Sequence, residues 1–224
     1  MLDMAVTRHP PIRDQIAVVI RNAIVNLDLR PGQLLIEREL CEMTGASRPS
    51  VREALRQLEA EGLVESQNGR GTIVRTLSAE EAANIYEVRA ELEGFAARLF
   101  CERADETLQA RIADAVQMME RANDGDLDAA SILAAQRSFY QALFEGAGNP
   151  LLDQLVQGLQ VRIAQLRAMT LEVPGRPRDS LEEFQSLARE LSARRRGAAQ
   201  KVATAHVRRA AQAMAQAMTA RASG

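Results

Sequence analysis

Three arginines, Arg48, Arg52 and Arg56, recur every four residues, and two serines, Ser47 and Ser50, stand at the head of the same segment. Each guanidinium is a planar fork able to make paired hydrogen bonds to a phosphate or to the edge of a guanine, and serine adds a short hydroxyl donor. To act together these groups must share one face of a helix. Ser47 is suited to cap the free N–H groups of a first turn, Pro49 fits where no donor is needed, and Gly62 is suited to end the helix. Between them Val51, Ala54, Leu55 and Leu58 recur at the three-and-four spacing of an apolar stripe, with the arginines roughly 100° round. One face packs, and the other can meet phosphates and base edges. The helix N-terminus adds its own attraction for phosphate.

The elements needed to hold such a helix lie on either side of it. From Glu37 to Thr76 the chain spells a helix, a turn, a second helix and a short hairpin, the outline of a winged helix-turn-helix that reads DNA. Leu63–Ser66 and Thr72–Arg75 read as two strands around Gln67–Gly71, where Asn68-Gly69 favours the left-handed backbone of a hairpin. The tip, Asn68 to Gly71, has the size and charge to reach a minor groove or a phosphate backbone.

The run PGQLLIERELCEMTGASRPSVREALRQLEAEGLVESQNGRGTIVRT resembles the N-terminal domain of GntR-type bacterial transcription regulators, and the likeness extends from about Ile12 to Thr76. It implies that Arg38 contacts phosphate, that Ser47, Arg48 and Arg52 contact bases and backbone, and that Asn68, Gly69 and Arg70 form the tip of the wing. Ser50 and Arg56 join this set by their place on the same helix.

A chain of 224 residues, 46% of them hydrophobic, exceeds one small domain and can bury a core in each of two, expected at 1–76 and 77–224. The net charge of −2, with ten arginines against ten acidic residues in residues 1–76, gives no general attraction to nucleic acid, so binding must come from where charge is placed. That argues against non-specific coating of DNA. Cys41 and Cys101 form neither a paired framework nor a zinc cluster and read as reduced structural residues. No charged-then-apolar leader opens the chain and no run approaches the ~20 apolar residues of a membrane span, so a soluble, cytoplasmic protein is expected. An enzyme is not: the chain has two histidines, His9 and His206, and no nucleophile–base pair, carboxylate dyad or glycine-rich phosphate loop.

Beyond Thr76 the texture changes. Ser78-Ala79-Glu80-Glu81 reads as a capping box, and the segments that follow are rich in Ala, Leu, Arg and Glu. Breaks near Ala104, Asn123–Asp126, Gly146–Pro150, Pro174–Pro177 and Arg196-Gly197 leave about six helices, whose short connections favour an antiparallel all-α bundle. The fold class is therefore mainly α, with the only strands in the wing.

The succession YEVRAELEGFAARL, then FYQALFEGAGNPLL, then a long last helix resembles the ligand-sensing FCD domain of the FadR subfamily, over about Ser78 to Ala220. The resemblance implies a metal held by an aspartate and three histidines. Here the aspartate position falls on Gln136, the next two on Tyr140 and Phe184, and the last on His206. Gln is a weak neutral donor, a tyrosine phenol titrates near pH ~10 and Phe offers nothing. No metal and no other cofactor is expected.

Ile132, Gln136, Tyr140 and Leu143 share one helical stripe, and Val202 and His206 lie one turn apart. Gln136, Tyr140 and His206 thus point inward, either as hydrogen-bonded core residues or as contacts for a small effector. The resemblance also turns Arg89 toward the cavity, and Arg162 and Arg167 are candidates to join it. A buried arginine needs a partner: an organic-acid effector, or an ordinary ion pair with Glu91 or Glu93. The Arg194–Arg196 run reads as a solvated corner, or a phosphate contact. Together the halves describe a homodimeric repressor whose operator binding responds to a small effector bound at Arg89, Gln136, Tyr140, Arg162 and His206. The alternative is a winged-helix protein-interaction module, whose binding face would carry apolar or aromatic anchors in place of arginines.

Overall fold

The computed structural model describes residues 10–26, 28–67, 69, 71–124 and 129–222. Contacts divide the chain into two compact units, which part between Thr76 and Leu77.

The first unit runs α1 (Ile12–Val25), β1 (Leu34–Leu35), α2 (Glu37–Thr44), α3 (Arg48–Ala60), β2 (Val64–Gln67) and β3 (Gly71–Val74). α3 is bounded by the signals in its sequence. The Ser47 hydroxyl accepts from the Ser50 amide at 3.5 Å, and Gly62 takes a left-handed φ of 71° at the other end. There the amide of Gly62 donates to the carbonyl of Glu59 and that of Leu63 to the carbonyl of Leu58, a Schellman closure that only a residue at ease with positive φ completes cheaply. Val51, Ala54, Leu55 and Leu58 are buried, and α3 packs on α1, whose own buried residues are Ile16, Ala17, Ile20, Ala23 and Ile24. A two-pronged ion pair from Arg21 to Glu61, its contacts 2.7–3.1 Å long, fastens α1 to the end of α3. Glu59 then accepts the Ser66 amide at 3.0 Å, tying α3 to the wing.

The wing is a three-stranded antiparallel sheet in the order β1-β3-β2. Its hairpin strands each begin and end one residue away from the expected bounds: Leu63 is taken up by the helix closure, and Gln67 pairs with Gly71. β1 was not foreseen, because two residues are too few to show a strand period.

The second unit holds seven helices among the described residues, where about six were expected. They are α4 (Ala79–Arg103), α5 (Glu106–Asp124), α6 (Ala129–Ala147), α7 (Pro150–Gln157), α8 (Gln160–Leu171), α9 (Arg176–Ser192) and α10 (Arg196–Ala222). The extra break falls at Gly158, where the Leu159 amide reaches back three residues to the Val156 carbonyl and tightens the turn. The capping box of α4 is formed in both directions, Ser78 to Glu81 at 3.1 and 3.0 Å. Arg194, expected at a solvated corner, has φ 53° and donates to the carbonyls of Cys101 and Ala104, closing the C-terminus of α4. All three arginines of the run are exposed, as expected of a solvated corner, and Arg195 and Arg196 form ion pairs with Glu190 and Glu102. Cys101 is buried and Cys41 half-buried, and both are free thiols.

Two glycines set how closely the helices approach. A Cβ on Gly94 would come within 2.4 Å of the Thr204 hydroxyl oxygen on α10, and one on Gly146 within 2.4 and 2.5 Å of the Phe100 ring. Thr204 can rotate, whereas the fully buried Phe100 ring cannot. Gly146→Ala is therefore expected to destabilise the second unit by about 1–3 kcal/mol, the usual cost of overpacking. Thermal unfolding of the full chain checks this, and an unchanged melting temperature would show that α4 and α6 part freely there.

Candidate nucleic-acid interface and buried arginine site

On the first unit the arginines of α3 stand on the face opposite the buried stripe. Arg48, Arg52 and Arg56 are exposed, Ser47 is exposed and Ser50 half-buried beside it, with their hydroxyls 3.0 Å apart. No acidic residue occupies the first turn of α3, so the positive end of its dipole and the arginine charge stand together. α2 lies ahead of α3 across a turn at Gly45, which has φ 66°. From α2, Glu37 accepts a 2.7 Å hydrogen bond from Arg52 Nε, which holds the Glu37 carboxyl below the usual carboxylate range and fixes the direction of the arginine. Arg38 is exposed, with Glu42 one turn on at 3.8 Å. Gly69 has φ 76°, the left-handed backbone expected at the tip. Asn68 and Arg70 lie outside the described residues.

In the second unit the inward polar residues form a layer between helices. Arg89 and Glu93 of α4 pair at 2.9 Å, both side chains 3% exposed. Arg167 of α8 reaches the same Glu93 at 3.8 Å and lays its guanidinium 3.7 Å over the Tyr140 ring of α6. From α9, Glu183 receives Arg176 at 2.7 Å, His206 Nδ1 of α10 at 2.5 Å and the exposed Arg209 at 3.3 Å. These donors, above all His206 and Arg176, pull the Glu183 carboxyl down to about 2 against the cost of its burial. Burial holds His206 below its ordinary value, in the neutral form. With Glu183 ionised, Nδ1 must carry the ring proton, which leaves Nε2 as an acceptor. The Thr170 hydroxyl donates to the Leu166 carbonyl at 2.6 Å, so the Tyr86 hydroxyl donates its own proton to Thr170 at 2.9 Å.

Arg89, Gln136, Arg167, Arg176 and His206 line one cavity of about 20 Å³, room for roughly one water. Tyr140 stands beside it, its hydroxyl buried near Glu93 and Arg167 but meeting neither with hydrogen-bond geometry; burial holds that phenol above its ordinary value.

The first unit matches the description "Bacterial regulatory proteins, gntR family" over residues 12–74, and the second matches the FCD domain over residues 84–209. The chain belongs to the GntR family of bacterial regulatory proteins. Among its relatives is the HTH-type transcriptional regulator LutR of Bacillus subtilis, 36% identical over 151 residues, which span 59% of this chain and 67% of that protein. Another, named "Probable D-xylose utilization operon transcriptional repressor", from Paenarthrobacter nicotinovorans, is 30% identical over 70% of each chain. A GntR regulator from Rhodococcus sp. RHA1 shares the fold with a TM-score of 0.75, at 24% identity over 93% of this chain and 98% of that one.

The metal implied by the FCD resemblance does not fit the residues of this GntR regulator. Gln136, Tyr140 and Phe184 stand where ligands were implied, and His206 spends Nδ1 on Glu183. Three guanidiniums share the space, and their charge opposes a dication. Among the described residues no three His, Cys, Asp or Glu side chains gather to hold a metal.

Arg89, Gln136 and His206 are thus brought together, with Tyr140 at their edge. Arg89 takes up the ion pair with Glu93 that the sequence left open. Arg162 is corrected: it is half-buried on α8 and does not line the cavity, because five residues carry the helix round by more than a full turn and bring Arg167 inward. Arg176 and Glu183 were missed: Arg176 was read as part of a Pro-Gly break, and Glu183 was not singled out. Their signal was present, since Arg176, Ser180, Glu183, Phe184, Leu187 and Leu191 form the buried stripe of α9. Among the described residues no helix is long and apolar enough to cross a membrane.

The buried groups set an acid response. Glu183 titrates near 2 when folded and near 4.5 when unfolded, so its contribution is present above 4.5 and lost as pH falls toward 2. His206 acts with the same sign higher up: below about 6.5 the unfolded chain takes up a proton that the folded ring resists. Stability should fall steadily from neutral to acid pH, and Glu183→Gln should flatten the lower arm. Denaturant midpoints measured across this range test both.

Proposed function

We propose that this chain is a dimeric, sequence-specific DNA-binding repressor that acts in the cytoplasm, and that a small molecule bound in its helical domain changes operator affinity. The observation that carries the reading is the outer face of α3, where Arg48, Arg52 and Arg56 stand exposed beside an N-terminus without acidic residues. A helix of this kind enters a major groove with its first turns against base edges, and a two-fold dimer offers two such helices to an inverted repeat about one DNA turn apart. A ligand shifts affinity by as much as it prefers one arrangement of the two helices over the other. Repression, as in the name of the Paenarthrobacter relative, is the simplest output of operator occupancy.

Selection from a random duplex pool with the full-length protein tests this. Enrichment of an inverted repeat, bound in preference to shuffled sequence at physiological salt, is the expected result. Equal binding to shuffled sequence at every salt concentration would overturn it.

A further inference from the structure

The three guanidiniums on the outer face of α3 are not equivalent. Arg52 donates from Nε to Glu37 Oε1 at 2.7 Å, across the turn that joins α2 to α3, with the arginine side chain 58% exposed and the glutamate 35%. Among the described residues Arg48 and Arg56 make no such ion pair. A pair this open to water adds little to folding stability, so its effect lies in what it does to the arginine. It fixes which edge of the guanidinium is free. An arginine can meet guanine sideways, with Nε and one Nη group, or end-on, with both Nη groups. Glu37 closes the first approach and leaves the second open, since among the described residues neither Nη of Arg52 has an acceptor.

Glu37 is itself held in place and held ionised. It stands in the first turn of α2, where the helix dipole favours a negative group, and the charges of Arg52 and Arg48 keep its carboxyl below the usual carboxylate range. The carboxylate has two consequences for DNA. It cancels one guanidinium charge at the surface, which lowers the attraction for phosphate, and it orders the Arg52 side chain before any base is met, which reduces the entropy lost on binding. We propose that Glu37 is the positioning residue that makes Arg52 a reader of guanine, at one base pair in each half-site, in place of a phosphate contact. The proposal rests on the DNA-binding reading of α3 and adds to it which arginine sets a base preference and what orients it.

Glu37→Gln keeps the shape of the side chain and removes its charge. Glu39→Gln is the matched control, because Glu39 stands exposed in the same first turn of α2 and among the described residues has no arginine partner. Each full-length variant is put through selection from the random duplex pool, and its motif is compared base pair by base pair with those of the wild type and Arg52→Ala. Glu37→Gln is expected to lower the preference for guanine by about tenfold at the position that Arg52→Ala also relaxes, with the other positions unchanged. Its affinity for shuffled duplex should rise and its salt slope steepen by about one, because one more uncompensated positive charge faces phosphate. Glu39→Gln, which removes the same charge, should keep the guanine preference. Glu37→Gln combined with Arg52→Ala should relax the motif no further than Arg52→Ala alone, since Glu37 acts through that arginine. A motif unchanged in Glu37→Gln, an equal change in Glu39→Gln, a change at a base pair that Arg52→Ala leaves alone, or an equal weakening on all sequences would overturn the proposal and leave the DNA-binding reading standing. A wild-type protein that enriches no motif would remove both.

Discussion

Arg48→Ala and Arg52→Ala are each expected to weaken binding to the selected operator by about ten- to a hundredfold, the discrimination one base-directed fork provides. Binding to shuffled DNA falls far less, so the ratio of specific to non-specific affinity collapses while the melting temperature stays where it was. The fold survives because both side chains are exposed, and the stripe that anchors α3 (Val51, Ala54, Leu55 and Leu58) is untouched. Arg38→Ala is the control: a phosphate contact weakens all sequences alike and lowers the salt slope by about one. Quantitative binding of the three variants to operator and shuffled duplexes at two salt concentrations decides between these outcomes. Unchanged discrimination in both α3 variants would sink the assignment of that face.

Glu93→Ala is expected to cost about 3–5 kcal/mol of folding stability, a large share of what a domain of this size has. The reason is what it leaves behind. Glu93 is the carboxylate between Arg89 and Arg167, whose side chains are 3% and 15% exposed; Arg89 can neither reach water nor shed its proton, and Arg167 is largely withdrawn from water. Its neighbour two residues earlier is the comparison: Glu91 pairs with Arg208 at 3.3 Å with both side chains about two-thirds exposed or more, so Glu91→Ala should be close to neutral. Adding Arg89→Met to Glu93→Ala should recover part of the loss, because it removes one stranded charge. Equal losses for Glu91→Ala and Glu93→Ala in denaturant titrations would refute the account.

How much of this was legible beforehand depended on the range of the interaction. The bounds of α3, its apolar stripe and its arginine face were all local: a cap at Ser47, a stop at Gly62 and a period of 3.6 residues write themselves within sixteen positions of sequence. The capping box at Ser78 and Glu81 was legible for the same reason. The wing was read to within a residue, and the error came from Leu63, whose amide is claimed by the helix before it.

The buried site behaved differently. That Gln136, Tyr140 and His206 turn inward followed from their stripes, yet what they meet there did not. Arg89 could have paired with Glu91 or Glu93, and only the packing of α10 and α8 on α4 sends one carboxylate outward to Arg208 and the other inward to Arg167. The choice of Arg167 over Arg162 rests on the phase of α8, which its weak amphipathic pattern did not fix. Arg176 and Glu183 lie on the apolar stripe of a helix whose start was hidden by Pro174 and Gly175.

By itself the sequence determined the two-part organisation, the arginine face of α3 and the residues that stand at the family's metal-ligand positions, because each depends on residue type and near neighbours. Only the tertiary structure decided that three guanidiniums converge on two carboxylates. Burial makes their charge costly, and which charges are buried together depends on helices far apart in the chain.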